Sequence, residues 1–500
     1  RYTIQSKIES GKNFKIYGFE KLINCSLFKN LTLGIDPKLF TNTQLKNYFI
    51  KYNKIKYIEN NLIDEIKKQK KNTSIPFFSL DKNIVGESIN SKLKKITNYL
   101  KKNKSDYIFI SAPENVAWTL NIRGGDGPNS PIPNSRLIVS KSKKILLISN
   151  QKKCNQLLKN KVIKKDEFLD IDDLPKRISK LIGKNFIVDD KSCSIFFENL
   201  INSKFKIINR EDPIYLLKAI KNKTEIKNMI NAHIFDGVAL TKFLFWIKKI
   251  NKKKITEVEA AKKLEKFRKL NKNFLYPSFD TIAGSGKNGA IVHYRAKKGS
   301  CRSINKKDIL LCDSGGQYKY GTTDVTRTIC FSKQKQKIKN IFTKVLKGHI
   351  AVATTDISKD DIGKKIDKRA RKFLNGSNLD YAHGTGHGVG FFLNVHEGPQ
   401  SITKINKVKI REGMILSNEP GYYKTNEYGI RIENLVYVKK VNKKLSFQNF
   451  TMAPIEKDLI NFDLLTVNEK NYLFKYHLEV YSKISKYLNP NEKKWLASFI

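Results

Sequence analysis

The segment His383–Gly390 reads HGTGHGVG and places two imidazoles among four glycines. So much glycine disfavours a helix and predicts a loop or strand whose backbone passes close to another group. His396 follows nine residues after His387. All seven histidines of the chain lie in its C-terminal block, and four of them (His293, His383, His387 and His396) lie beside the acidic residues described next. Such a grouping favours a functional site over scattered structural histidines.

Two aspartates lie N-terminal to this segment, on either side of a glycine-rich reversal. Asp313 follows the apolar run 309–312, a predicted strand, and Asp324 lies in the β-branched run 322–328. An antiparallel pairing would bring both carboxylates to one face, with Cβ atoms about 5 Å apart if they are directly opposite. Two such carboxylates repel each other, and a divalent cation removes that conflict. The alternative is a pair of turn-capping aspartates.

Two glutamates complete an oxygen-rich set. Glu419 follows the run 414–418, and Glu433 lies in the run 429–435, where strand alternation puts Arg431 and Glu433 on one face. Four carboxylates and one imidazole suit Mn²⁺ or a similar cation better than structural zinc. Because one catalytic ion needs fewer carboxylates, we expect two ions, about 3.5–4 Å apart.

The net charge of +50 suggests nucleic-acid binding at first sight. However, lysines greatly outnumber arginines and are spread over the whole chain, whereas a phosphate-binding surface concentrates its charge. We therefore interpret the charge as a solvated lysine surface and expect no nucleic-acid partner.

Six cysteines without a Cys-x-x-Cys pair predict free thiols and a reducing compartment, the cytoplasm. The longest apolar runs, such as 243–247, are far shorter than a bilayer span, so no membrane partner is expected.

The 500 residues predict two or three domains. An Asn/Lys-rich stretch near 68–72 and the Glu211-Asp212-Pro213 break divide the chain into 1–72, 73–213 and 214–500. The middle block is predicted to be α/β, with a helix over Ser88–Lys102 and strands at Tyr107–Ile110, Arg136–Ser140 and Lys144–Ile148. In the last block, Thr256 and Glu259 are spaced as a helix capping box.

Taken in order, the five ligand-type residues resemble the ligand set of the pita-bread metallopeptidases, the family of methionine aminopeptidase, prolidase and aminopeptidase P. Longer strings narrow the resemblance to the three-domain Xaa-Pro aminopeptidases. Within the site these are residues 313–318 (DSGGQY), 321–328 (GTTDVTRT), 383–390, 394–399 (NVHEGP) and 419–423 (EPGYY). Outside it they are residues 112–118 (APENVAW), 121–124 (NIRG), 454–455 and 476–477.

The resemblance implies an α/β multidomain chain in which creatinase/prolidase-like N-terminal α/β domains precede an α+β pita-bread catalytic domain with a C-terminal extension from about residue 440. The first block is shorter than the family's first domain, so its start is expected to be truncated. The implied activity is a metal-dependent aminopeptidase that hydrolyses the N-terminal Xaa-Pro bond of peptides with a hydroxide activated by two divalent ions, here Mn²⁺. A cytoplasmic homodimer is also implied.

The resemblance further implies a role for each site residue. Asp324 and Glu433 are expected to bridge the ions, Asp313 to bind one ion, and His387 and Glu419 to bind the other. The substrate-contacting or catalytic residues are expected to be His293, His383, His396, Glu419 and Arg431, and Tyr423 is expected to support the wall of the site.

Two alternatives remain open at this point. A prolidase would cleave Xaa-Pro dipeptides with the same metals, and an inactive pita-bread protein would serve as a binding or chaperone module. The glycine pattern at 284–289 also fits a dinucleotide-binding loop, but it leads into Ala290–Tyr294, a predicted strand, so no helix N-terminus is expected to receive a pyrophosphate.

Overall fold

The computed structural model describes residues 3–18, 21, 25–66, 75–250 and 255–500, arranged in two compact units. The first unit comprises residues 1–81, 87–127 and 132–214, and the second comprises 82–86, 128–131 and 215–500. The expected boundary at residue 72 lies outside the described residues, so the three-part division stays a prediction.

Sixteen α-helices occur within the described ranges. In chain order they are α1 Thr3–Ser10, α2 Asn42–Tyr48, α3 Leu62–Ile66, α4 Lys82–Val85, α5 Ile89–Lys102, α6 Pro113–Thr119, α7 Gln151–Lys159, α8 Leu174–Lys180, α9 Ile195–Asn202, α10 Ile214–Ala219, α11 Lys223–Lys249, α12 Glu257–Arg268, α13 Gln336–Ala353, α14 Gly363–Asn375, α15 Val467–Ile484 and α16 Pro490–Ala497. None of these helices combines the length and apolar composition that a bilayer span requires.

The strands fall into separate sheets in the two units. Those of the first unit are β1 Thr32–Ile35, β2 Lys54–Tyr57, β3 Phe78–Ser79, β4 Tyr107–Ile110, β5 Ile122–Arg123, β6 Arg136–Ser140, β7 Ile145–Ser149, β8 Phe168–Asp170, β9 Asn185–Val188 and β10 Lys206–Asn209. Those of the second are β11 Phe274–Pro277, β12 Ile282–Ser285, β13 Ile309–Ser314, β14 Gly316–Tyr318, β15 Gly321–Thr322, β16 Val325–Cys330, β17 Gly386–Gly388, β18 Glu397–Ile402, β19 Ile415–Asn418, β20 Gly421–Lys424, β21 Tyr428–Arg431, β22 Asn434–Val441 and β23 Lys444–Asn449.

A mixed six-stranded sheet forms the centre of the first unit, in the order β10-β9-β4-β6-β7-β8. Buried Phe109, Ile138 and Phe186 pack together on it. The α/β prediction for the middle block is confirmed: β4 and β6 have the predicted bounds, β7 begins and ends one residue later than predicted, and Ser88 is the N-cap of α5.

In the second unit, a five-stranded sheet (β18-β17-β19-β22-β23) and a three-stranded sheet (β12-β13-β16) carry or border the five candidate metal ligands. Beneath them lies a hydrophobic core in which Phe342 of α13, Ile430, Ile432 and Tyr476 of α15 are buried. Since Ile430 and Ile432 point into this core, Arg431 and Glu433 face the other way, as the alternation predicts.

The guanidinium of Arg327 joins β16 to the C-terminal region. Arg327 is 1% exposed and donates to Pro454 O and Glu433 O at 2.9 and 2.7 Å, and to the Tyr476 hydroxyl at 2.9 Å. It also donates to Asn434 Oδ1 and Ala453 O. One side chain therefore satisfies acceptors on three chain segments that meet behind the site.

Helix α12 begins with the predicted capping box, in which Glu259 N donates to Thr256 Oγ1 and Thr256 N donates to Glu259 Oε2. The predicted strand at Ala290–Tyr294 is wrong. A short 3₁₀ helix, Gly286–Ala290, is followed by a turn there, because this backbone bonds locally instead of joining a sheet.

Candidate active site

Strands β13 and β16 bring Asp313 and Asp324 together. They pair antiparallel, with Asp313 opposite Thr326, so Asp324 lies two residues before the partner of Asp313. The two aspartates are therefore diagonal neighbours on one face, not directly opposite residues. The predicted pairing is confirmed, with a shifted register.

Strands β17 and β19 position His387 and Glu419. A Cβ on Gly386 would lie 1.9 Å from Ser417 O, which explains why glycine precedes His387 in this stretch. The hydroxyl of Ser417 accepts a hydrogen bond from His387 N at 2.9 Å and donates to Glu419 Oε1 at 3.1 Å. His387 Nδ1 bonds to Gly388 O at 2.8 Å, which leaves Nε2 directed at the carboxylates.

Glu433 and Arg431 both bond to Thr326, the residue opposite Asp313 in the pairing of β13 with β16. The Thr326 hydroxyl donates to Glu433 Oε2 at 2.7 Å and accepts from Arg431 Nε at 3.1 Å. Arg431 also forms an ion pair with Asp313 Oδ2. Sequence reasoning missed Thr326 and Ser417, although each lies two residues from a predicted ligand.

The ligand-type atoms converge in a small space. Ligand atoms of Asp324, His387 and Glu433 all lie within 4.8 Å of one another. His387 Nε2 is 3.5 Å from Asp324 Oδ2 and 3.5 Å from Glu419 Oε1. The turn-capping alternative for the aspartates therefore does not describe Asp324.

Without cations, this cluster is electrostatically unfavourable. Burial, followed by the Asp313 and Glu419 carboxylates, raises the pKa of Asp324 well above its usual range. Burial and the same neighbours, with Asp324, raise the pKa of Glu433 likewise. Burial also raises the pKa of Glu419, against the opposing effects of His387 and Arg431.

Divalent cations fit this set of side chains. Asp313 is 8% exposed, and its Oδ1 has no hydrogen-bond partner among the described residues. An oxygen atom buried without a partner costs free energy that a cation would offset. The donors are carboxylate oxygens with one imidazole, which hard divalent ions prefer.

A cavity of about 300 Å³ opens over the cluster. It is lined by Phe279, Asp280, Ile282, Val292, His293, Tyr294, Arg295, Asp313, Asp324, His387, His396, Glu419, Arg431 and Glu433. His293 and His396 are both exposed, and the rings of His396 and His387 lie 4.0 Å apart.

Two of the predicted site residues, Tyr423 and His383, do not line this cavity. His383 is buried, and its Nε2 bonds to the Tyr423 hydroxyl at 2.8 Å, which in turn accepts from Arg431 at 2.6 Å. Its Nδ1 lies 3.9 Å from Glu419 Oε2. His383 is thus linked to the ligand cluster through Tyr423 and Arg431.

The apolar and ionic parts of the cavity wall were not predicted. Phe279, Ile282 and Val292 supply apolar surface, and Asp280 pairs with Arg295 at 2.6 Å. The sequence holds no motif for these residues. Only their proximity to His293 along the chain could have suggested them.

Family comparisons match three consecutive parts of the chain. Residues 67–225 match the creatinase/prolidase N-terminal domain, residues 227–440 match metallopeptidase family M24, and residues 443–498 match the C-terminal region of that peptidase family.

Individual proteins match over almost the whole chain. Xaa-Pro aminopeptidase 1 of Dictyostelium discoideum is 36% identical, with 100% of this chain and 86% of that protein covered. A probable Xaa-Pro aminopeptidase P of Laccaria bicolor is 35% identical, with 99% and 82% covered.

Among solved structures, X-prolyl aminopeptidase from Caenorhabditis elegans, described as a cytosolic enzyme with a di-nuclear active site, superposes with a TM-score of 0.88. It is 28% identical and covers 99% of this chain and 86% of its own. A prolidase from Pyrococcus furiosus, at 24% identity, covers 71% of this chain and 98% of its own with a TM-score of 0.58, a likeness of fold.

Proposed function

Since the chain belongs to the Xaa-Pro aminopeptidases of metallopeptidase family M24, we propose that its site residues together hydrolyse the bond between the first residue of a peptide and a proline at the second position. The chain is a metallopeptidase, and its substrates are peptides with proline at the second position. The observation that carries this conclusion is the convergence of ligand atoms from Asp324, His387 and Glu433 beneath an open cavity.

We assign the two cations to five side chains. Asp324 and Glu433 would bridge, Asp313 would hold one ion, and His387 and Glu419 would hold the other. The hard oxygen donors support Mn²⁺ as the preferred ion. When bound, such cations polarise the scissile carbonyl and lower the pKa of a water molecule, so that hydroxide is available as the nucleophile at neutral pH.

The other site residues orient the substrate and move the proton. The exposed imidazoles of His293 and His396 stand where they can contact the peptide and stabilise a developing oxyanion. Glu419 is assigned the proton that the proline nitrogen takes up on leaving. Arg431 holds Asp313 through an ion pair and donates to the Tyr423 hydroxyl. Tyr423 in turn bonds to His383, which lies beside Glu419.

Proline selection follows from the shape and chemistry of the cavity. A proline nitrogen has no N–H, so it cannot donate a hydrogen bond to a site that binds the peptide backbone through its amides. The apolar side chains of Phe279, Ile282 and Val292 offer surface for a pyrrolidine ring instead.

Neither alternative activity is favoured. The Dictyostelium discoideum and Laccaria bicolor relatives, both named Xaa-Pro aminopeptidase, cover 100% and 99% of the chain, whereas the prolidase structure from Pyrococcus furiosus covers 71%. An inactive binding module has no need of the five ligand-type residues, all of which are present in this chain.

For its setting, we propose a cytoplasmic homodimer without a nucleic-acid or membrane partner. The free thiols and the cytosolic description of the Caenorhabditis elegans enzyme support the compartment. The dimer rests on the family resemblance alone.

The test is a comparison of peptides of different length. Purified protein with Mn²⁺ is expected to release arginine from Arg-Pro-Pro and much less from the dipeptide Arg-Pro, with Arg-Ala-Pro as the control for proline selection. Release should stop when a chelator is added and return with Mn²⁺. Equal rates on tripeptide and dipeptide would point to a prolidase, and no release from any peptide by metal-loaded protein would contradict the activity.

A further inference from the structure

Glu257, the first residue of helix α12, is a carboxylate with no exposed surface and four hydrogen-bonding neighbours. It accepts from Ser285 N at 2.7 Å and from Arg302 N at 2.9 Å. It also accepts from the Tyr294 hydroxyl at 2.8 Å and from Asn288 Nδ2 at 3.1 Å on both oxygens. All four partners belong to one stretch of chain, residues 285–302.

This arrangement is more than helix capping. Glu259, two residues later, already forms the capping box with Thr256. An acidic residue in the first helical turn is stabilised by the helix dipole even when it is solvated. Glu257 is buried instead, and burial of a carboxylate is unfavourable unless several donors satisfy it. The donors that do so come from outside the helix.

The stretch that Glu257 holds has little structure of its own. After the 3₁₀ helix Gly286–Ala290, residues 291–308 form no helix or strand, apart from an isolated bridge between Ser303 and Thr256. Residues 297–300 are exposed. The bonds to Glu257 reach the beginning, middle and end of residues 285–302.

The same stretch forms one wall of the active-site cavity. Val292, His293, Tyr294 and Arg295 line the cavity, and Tyr294 is at once a lining residue and a direct donor to Glu257. The position of His293 therefore depends on a neighbour whose hydroxyl is bound to this carboxylate.

We propose that Glu257 is a positioning residue for substrate binding, whose carboxylate holds residues 285–302 so that His293 and Tyr294 face the peptide. Its effect on catalysis rests on the proposed function, whereas its hold on the chain segment does not. Glu257 is not among the residues that line the cavity, so it acts through the segment and leaves the metal ligands untouched.

The decisive variant is Glu257→Gln, which keeps the shape of the side chain but replaces one oxygen by an NH₂ group. One carboxylate oxygen accepts from Ser285 N and the other from Arg302 N, so in either orientation the NH₂ group of the amide would point at a backbone N–H. The matched control is Glu259→Gln, which alters the exposed cap of the same helix.

We expect Glu257→Gln to lower kcat/KM on Arg-Pro-Pro by at least about tenfold, mainly through KM, since displacement of substrate-positioning groups by about 1 Å is enough for such losses. Manganese content should stay at the wild-type level. Limited trypsin digestion should cleave after Arg295, Lys297 or Lys298 faster than in the wild type. Glu259→Gln should match the wild type in KM and in cleavage.

Two results would overturn the proposal: an unchanged cleavage rate in Glu257→Gln, or a loss of activity that only follows losses of metal and of the thermal midpoint. If the wild type does not hydrolyse Xaa-Pro peptides, the proposed function fails, and the trypsin comparison still decides whether Glu257 holds the segment.

Discussion

Replacement of Asp324 by asparagine is expected to remove metal binding and turnover together. An amide cannot carry the charge that a bridging ligand supplies, and Asp324 lies at the centre of the ligand cluster. We expect kcat/KM to fall by at least about 10³-fold, since even residues that only support a ligand commonly contribute about 10- to 100-fold. Elemental analysis and peptide kinetics on the same preparation measure both effects.

Without metal, the Asp324→Asn variant should be at least as stable as the wild type. A buried carboxyl whose pKa is raised destabilises the folded state at neutral pH, where the unfolded chain ionises freely. Metal-free Asp324→Asn is therefore expected to melt at or above the metal-free wild type, whereas metal-loaded wild type melts higher than both.

His396→Ala is the matched comparison for Asp324→Asn, because His396 lies beside His387 but is not a proposed ligand. It should bind two equivalents of metal and lose much of the rate. If it kept wild-type kinetics, His396 would have no part in the mechanism, and if Asp324→Asn kept its metal, Asp324 would not be a bridging ligand.

Replacement of Arg327 by methionine is expected to cause the largest loss of stability. Its guanidinium donates to acceptors on β16, on the segment after β23 and on α15, all of them buried. Methionine fills similar space but removes these donors from a group of buried acceptors, at a cost of roughly 3–5 kcal/mol. The thermal midpoint should fall by roughly 6–20 °C, at about 2–4 °C per kcal/mol.

The control for this variant is Arg369→Met, which removes an arginine from an exposed pair with Asp360. An exposed pair contributes little, so the midpoint should stay within about 1–2 °C of the wild type. Equal midpoints for Arg327→Met and Arg369→Met, measured by calorimetry on metal-loaded protein, would show that the buried network does not join the C-terminal region to β16.

The ligand set was predictable because its residue types are rare and their local patterns are strong. We could pick out candidate ligands from an aspartate after an apolar strand, from the glycines around His387 and from the alternation at 430–433. The register of β13 on β16 was not predictable, because the loop between them contains two further short strands, β14 and β15. That register makes Asp313 and Asp324 diagonal neighbours.

Residues that act through a hydrogen bond to another residue were harder to predict. Thr326, Ser417 and Glu257 are ordinary members of a strand or a helix start, and only the folded chain shows which polar groups they meet. Ala290–Tyr294 was predicted as a strand. Its backbone turns instead, and Tyr294 is held by Glu257 from another element.

The most direct test of the metal centre is a calorimetric titration of the metal-free protein with Mn²⁺, followed in parallel by hydrolysis of Arg-Pro-Pro. The arrangement of Asp313, Asp324, His387, Glu419 and Glu433 predicts two equivalents of Mn²⁺ per chain and activity that rises with occupancy. Failure to bind Mn²⁺ at saturating concentration, or full activity in protein shown to contain no metal, would contradict the two-metal site.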